Sequence, residues 1–223
     1  MQMKTPQSFT VGSGRLARSS AGFTLLEVMV VLLVMSIGML GVAGLQAATS
    51  RYKINAWSRA STAVLFSDFA DRVRANPEQA GLSYFSDKAA ESTSAYTLSE
   101  DWSTQLSATL TVSPDCMSTA CTAAERATYD MTIWRQEVRR QLPQGAVIVS
   151  GNRTSGMAVS MMWYDKQFVD KDGALVTSNS CKVVQAAIKA SSSSYTAPAL
   201  SNCCPDAAAV PAGVRCVNFS FLP

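Results

Sequence analysis

Gly22-Phe23-Thr24-Leu25-Leu26-Glu27-Val28 opens the longest apolar run in the chain, and the reading of this stretch decides the architecture. Residues 23–45 contain no Lys, Arg or Asp, and Glu27 is their only ionisable side chain. As a helix rising ~1.5 Å per residue the run is about 35 Å long, enough to cross a bilayer core of about 30 Å. The small pair Ala21-Gly22 stands before the apolar core. A secretory signal peptide would have a shorter core with its small-residue site after it. Ala47-Ala48-Thr49 offers such a site, so that reading stays open beside an uncleaved anchor. Neither accounts for Glu27, a carboxylate that costs about 2.5–3.5 kcal/mol at the centre of a membrane helix and calls for a partner.

Upstream of the run, residues 1–22 are polar and basic and match no folded element. Lys4, Arg15 and Arg18 lie there with no acidic residue, and they account for the whole net charge of +3. The positive-inside rule keeps this end in the cytoplasm and sends the chain beyond the span outside. The remainder is near neutral, so its charge gives no reason to expect nucleic acid. Arg135, Arg139 and Arg140 form the best basic cluster for a nucleic-acid surface.

The chain has 223 residues, no histidine and six cysteines. Without histidine there is no Ser-His-Asp or Cys-His site and no imidazole ligand. No Gly-rich phosphate loop is present. Asp165, Asp170, Asp172 and Gly173 share a polar loop without the ligand order of a calcium site, and read as a solvated turn. No catalytic residue, cofactor or metal is expected. Cys116, Cys121, Cys181, Cys203, Cys204 and Cys216 all lie C-terminal to the apolar run, as disulfides in an oxidising compartment would. A local Cys116–Cys121 bridge is favoured, and the other four are left unassigned.

Beyond the span, Ile54, Trp57, Ser61, Leu65, Phe69 and Val73 step by three or four and extend the helix along one face until Asn76-Pro77 ends it. Residues 79–104 form a Ser-rich connection. Residues 106–112 alternate as a strand does. Ala127, Met131, Trp134, Val138 and Leu142 mark a second helix, stopped by Pro143 and Gly145. Residues 146–149, 158–164, 182–189 and 214–221 read as strands. The sum is an α+β chain in which an antiparallel sheet covers the far half of a long N-terminal helix. Gly38, Gly41 and Gly44 read equally as a place where that helix loosens in an assembly and as a close-packing face.

Gly22-Phe23-Thr24-Leu25-Leu26-Glu27-Val28 resembles the cleavage and methylation motif of type IV prepilins and type II secretion pseudopilins. The resemblance implies cleavage between Gly22 and Phe23 by a prepilin peptidase, which then methylates the amine of Phe23. It also implies that Glu27, the fifth mature residue, meets the N-terminal amine of a neighbouring subunit. The leader is longer than in many pilins, as expected of some minor subunits or of a start codon placed too early. Residues 22–46, and Asp130-Met131-Thr132-Ile133-Trp134 through Leu142-Pro143-Gln144-Gly145, resemble the PilV group of minor pilins. The implied organisation is a leader over 1–22, a transmembrane half-helix over 23–48, an amphipathic half over 49–76 and a disulfide-bearing head over 77–223. The implied partners are other minor pilins, the major pilin, the peptidase/methyltransferase and an inner-membrane assembly platform. The implied place is the inner membrane before assembly and the cell-surface pilus after it. A type II secretion minor pseudopilin is the near alternative. An adhesin or DNA-binding module on a pilin-type anchor is the alternative of another class.

Overall fold

In the computed structural model the residues described are 22–81, 94–190 and 197–223. The proposed leader up to Ala21 and residues 82–93 of the Ser-rich connection lie outside them. The chain divides into two compact units, Met1–Ser50 and Arg51–Pro223. One helix, α1, Leu25–Ala75, contributes to both.

In the first unit α1 starts on Thr24, whose hydroxyl accepts the backbone N–H of Glu27 at 3.2 Å, a helix-capping arrangement. The helix runs unbroken through Gly38, Gly41 and Gly44, and every residue from Gly22 to Ser50 is exposed. The Ser36 hydroxyl donates to the Leu32 carbonyl at 2.6 Å, so this polar side chain is satisfied within the helix.

In the second unit the remainder of α1 buries Ser58, Ser61, Thr62, Leu65, Phe69 and Val73. The expected face is present from Ser61 onward. Ile54 and Trp57 depart from it, being 60% and 65% exposed. Small hydroxyl residues take their place at the contact, since Ser58 donates to Ile54 O and Thr62 to Arg59 O and neither needs water. Asn76 ends the helix, as the proline after it requires.

The head contains α2, Trp102–Ser107; α3, Ala123–Gln141; β1, Ala146–Asn152; β2, Gly156–Tyr164; α4, Cys181–Lys189; and β3, Val214–Phe221. The strands form one antiparallel sheet in the order β1-β2-β3, with Val147 opposite Met161 and Val159 opposite Phe219. One sheet face packs on α1 and α3 through Leu65, Phe69, Trp134, Val147, Val159 and Met161. Phe66 stacks on Phe219 at 4.6 Å and Phe69 lies against Trp134 at 4.3 Å, so rings knit helix to sheet. The fold is therefore α+β, a long N-terminal helix with a three-stranded antiparallel sheet.

Two expected strands are not strands: only the start of 106–112 is helical, and 182–189 is wholly so. Residues 106–112 alternate, yet α2 occupies Trp102–Ser107 because Asp101 caps it, accepting from Thr104 N at 2.8 Å. The residues after it are extended without a strand partner. Their carbonyls are taken by α3 side chains instead: Arg139 donates to Ala108 O and Gln136 to Leu110 O, each at 2.8 Å. Residues 182–189 lie in α4, where the Ser180 cap and the Gln185-Ala186-Ala187 run outweigh the β-branched Val183 and Val184.

The disulfides join Cys116 to Cys121, Cys181 to Cys203 and Cys204 to Cys216. The vicinal pair Cys203-Cys204 thus ties one loop to α4 on one side and to β3 on the other.

Candidate assembly site

Gly22 and Phe23 precede the first helical turn, and Phe23 is 81% exposed. Among the described residues a Cβ added at Gly22 would meet nothing within 4 Å. Glu27 lies in the first turn of α1, on a helix whose other side chains from Phe23 to Ser50 carry no charge. Thr24-x-x-Glu27 also has the spacing of a capping box, and the Glu27 backbone N–H uses Thr24 as one. That contact employs the main chain of Glu27 and leaves its carboxylate facing outward. Gly38, Gly41 and Gly44 are equally open, a Cβ at any of them meeting nothing within 4 Å.

A second set of residues fixes the end of α1 to the head. Asp130 of α3, nearly buried, accepts from Arg72 Nη1 at 3.2 Å and from the Tyr96 hydroxyl at 3.2 Å. Arg72 also pairs with Asp68 at 2.9 Å. Asn76 Nδ2 donates to Tyr96 Oη at 3.1 Å and to the Ala123 carbonyl at 2.8 Å. One turn beyond Asp130, the Trp134 indole donates to Leu65 O of α1 at 2.9 Å. Burial pushes the Tyr96 hydroxyl up to about 12; the Asp130 carboxylate adds to the rise and the Asn76 amide opposes it. Trp134 was legible on the apolar face of the second helix, Asp130 only as part of a motif and Asn76 only as a helix end. The missed signal was an acid on the apolar face of α3, which needs a buried partner.

The Leu142-Pro143-Gln144-Gly145 segment turns the chain out of α3 into β1. Gln144 has φ +52°, and Gly145 N–H donates to Leu142 O at 2.9 Å. A Cβ on Gly145 would stand 2.5 Å from Val138 O, so only glycine fits there.

The other candidates are occupied within the head. Arg135 pairs with Glu100 at 2.8 Å and Arg140 with Glu137 at 2.6 Å, while Arg139 donates to the carbonyls of Ala108 and Gln105. Burial pulls the Arg139 guanidinium down, as does the charge of Arg135, against Glu100. In the acidic loop, Asp165 is buried on Arg215 at 2.6 Å, and Asp170 accepts the backbone N–H groups of Asp172 and Ala174. Among the described residues no three metal-ligating side chains converge.

Residues 17–43 match the family described as Prokaryotic N-terminal methylation motif. The chain bears a prepilin N-terminus of the type IV pilin and pseudopilin kind. The match covers the leader junction and the first part of α1, and stops short of the head. No curated protein and no solved structure matches the chain. The prepilin motif and α1 go together physically: the helix is long and apolar enough to cross a membrane, with none of its most apolar window buried in the protein.

Proposed function

We propose that this prepilin is a PilV-like minor pilin, cut between Gly22 and Phe23, methylated at Phe23 and incorporated into a tip or priming complex of a type IV pilus. The carrying observation is the Gly22-Phe23 junction set directly before an apolar half-helix in which Glu27 is the single charged residue up to Ser50. Removing the basic leader creates a positive amine at Phe23. In an assembly that amine on one subunit compensates Glu27 on the next, which offsets the cost of burying the carboxylate. Before assembly the chain is a single-pass inner-membrane protein with its N-terminus in the cytoplasm, as Lys4, Arg15 and Arg18 direct. Its partners are the peptidase, the assembly platform, other minor pilins and the major pilin. The role is one of assembly rather than catalysis.

The PilV-like reading over a type II secretion pseudopilin draws support from the Asp130 to Gly145 segment. Its Asp and Trp bind α1, and its Leu-Pro-x-Gly end feeds β1, so the motif acts as one structural unit. Mass spectrometry of the mature chain tests the processing: N-methyl-Phe23 is expected, and an intact Met1 or a terminus near Ala48 would refute it. Deletion in cells tests the system: loss of surface pili with normal secretion is expected, and the reverse phenotype moves the chain to the secretion pseudopilins.

A further inference from the structure

Tyr52, Ile54 and Trp57 of α1 belong to the second compact unit, yet they are 75%, 60% and 65% exposed. The other tryptophans, Trp102, Trp134 and Trp163, are all buried. Two open cavities border this stretch. One, of about 460 Å³, has Ile54, Pro143 and Lys166 in its wall. The other, of about 630 Å³, has Lys53, Ile54, Trp57 and Pro143. Pro143, Lys53 and Lys166 are themselves exposed. Neither lysine enters an ion pair among the described residues. Asp165 is the one acid among the described lining residues, and it is buried on Arg215 at 2.6 Å. This end of the head is thus an apolar, aromatic patch with a basic rim.

Position, composition and charge together name what covers the patch. Arg51 is the first charged residue after Glu27, so Ser50 marks the end of the stretch that hydrocarbon accepts. From Ser50 to Trp57 the helix rises ~10 Å. Aromatic side chains on a helix lean back over the turn N-terminal to them, which brings the Trp57 ring to about 5 Å beyond Ser50. The polar zone of one leaflet is about 5–7 Å deep, so Tyr52, Ile54 and Trp57 all fall within its reach. Tyr and Trp favour that zone, where a ring meets hydrocarbon on one side and water on the other. Lysines beside them meet the phosphates of anionic lipids. A second copy seated on the same patch through a two-fold axis would instead set lysine against lysine. We propose that Tyr52, Ile54 and Trp57, rimmed by Lys53 and Lys166, seat the base of the head in the headgroup layer of an anionic membrane. The inference rests on residues 23–48 spanning that membrane, and on no other part of the minor-pilin reading.

Tryptophan fluorescence of the full chain tests this, because Trp57 is the exposed one of four. The chain is placed in nanodiscs of phosphatidylcholine, alone or mixed with phosphatidylglycerol, with some acyl chains brominated near the headgroup. Subtracting the emission of Trp57→Phe, a change on an exposed side chain, isolates the Trp57 component. That component should be blue-shifted, lose most of its intensity to the brominated lipid and resist acrylamide in the water. The loss to brominated lipid should be larger with phosphatidylglycerol, and Lys53→Gln combined with Lys166→Gln should abolish that difference. A Trp57 component quenched by acrylamide and untouched by brominated lipid overturns the proposal. So does equal quenching with and without phosphatidylglycerol, or a lipid dependence that survives in the double lysine variant. Shielding from acrylamide only in discs that hold two chains overturns it too and gives the patch to a second copy. A chain that the discs do not hold refutes the membrane span itself, whereas a chain held with Trp57 in water refutes this seat alone.

Discussion

Replacing Asp130 with Ala should destabilise the head by about 3 kcal/mol, and the structure shows where each part of the loss arises. The Asp130 side chain is 8% exposed and holds two groups. Stripping one member from a buried ion pair costs about 3–5 kcal/mol when the other charge is abandoned. Arg72 is not abandoned, because Asp68 stays at 2.9 Å and Arg72 is itself 27% exposed. Its share therefore falls to the 1.5–3 kcal/mol range of a single charged hydrogen bond, roughly. Tyr96 has no exposure and loses its only acceptor among the described residues, which adds about 1–3 kcal/mol. Taking the low half of each range gives about 3 kcal/mol, or a fall in Tm of about 6–12 °C for a chain of this length. The assay is thermal unfolding of the mature chain followed by near-ultraviolet circular dichroism, which reports the packed rings. Asp130→Asn keeps an acceptor for Tyr96 and should lose about half as much. A double-mutant cycle with Tyr96→Phe should show a coupling of about 1 kcal/mol. A fall below about 3 °C for Asp130→Ala, or additivity in the cycle, would refute this latch between α3 and α1.

Gly22→Val should leave the unprocessed chain in the membrane, read as a larger band, whereas Glu27→Ala should be processed yet absent from sheared pili. Proteolytic mapping without reductant should recover the pairs Cys181–Cys203 and Cys204–Cys216, and a Cys181–Cys204 peptide would contradict the fold. Gln105→Ala should cost about 2 kcal/mol in chemical denaturation, since the Gln105 amide meets both the N–H and the C=O of Val147 at the outer edge of β1. Tyr96 has a folded-state pKa raised above 10, so its contribution to stability is complete below pH 10 and disappears as pH rises toward about 12. Glu125, held low first by the Thr122 backbone N–H and then by its hydroxyl, contributes in the opposite sense: its support of α3 is present above the ordinary glutamate range and is lost as pH falls. Protection factors at the start of α3, taken relative to the intrinsic exchange rate at each pH, should fall in acid.

Long-period features were the legible ones. The 3.6 spacing of Leu65, Phe69 and Val73 located the buried face of α1, and the apolar run over 214–221 located β3 to the residue. Short segments were ambiguous because local pattern there competes with what the partner surface allows. The outer edge of β1 is already filled by Leu98, paired with Val149, and by the Gln105 amide. That leaves residues 106–112 without a strand to join, whatever their alternation. The burial of Ser58 and Thr62 in preference to Ile54 and Trp57 was illegible for a related reason. A hydroxyl that bonds its own helix carbonyl buries at little cost, which hydropathy does not record. The candidate site divides in the same way. Glu27 declares itself by its apolar surroundings in sequence, whereas Asp130, Tyr96 and Asn76 lie far apart in the chain and become one network only when α3 packs on α1.

The two halves of α1 solve the same problem by different means. From Arg51 onward the helix finds its cover inside the protein: aromatic rings from β3 and α3, one indole bond to its backbone and a carboxylate for Arg72. Up to Ser50 no described residue is covered, so lipid or other subunits must supply what the head supplies elsewhere. Hydrocarbon suits Leu25 and Leu26 and does not suit Glu27. A neighbouring helix in register suits all three only if it brings a positive charge to the level of the first turn. On the proposed reading that charge does not exist in the precursor at this depth, where Phe23 is joined to Gly22 through a neutral amide. Cleavage makes it. The same reading requires the order of events to be fixed: a chain that keeps its leader can lie in the membrane, but it lacks the amine that lets the next subunit bury Glu27.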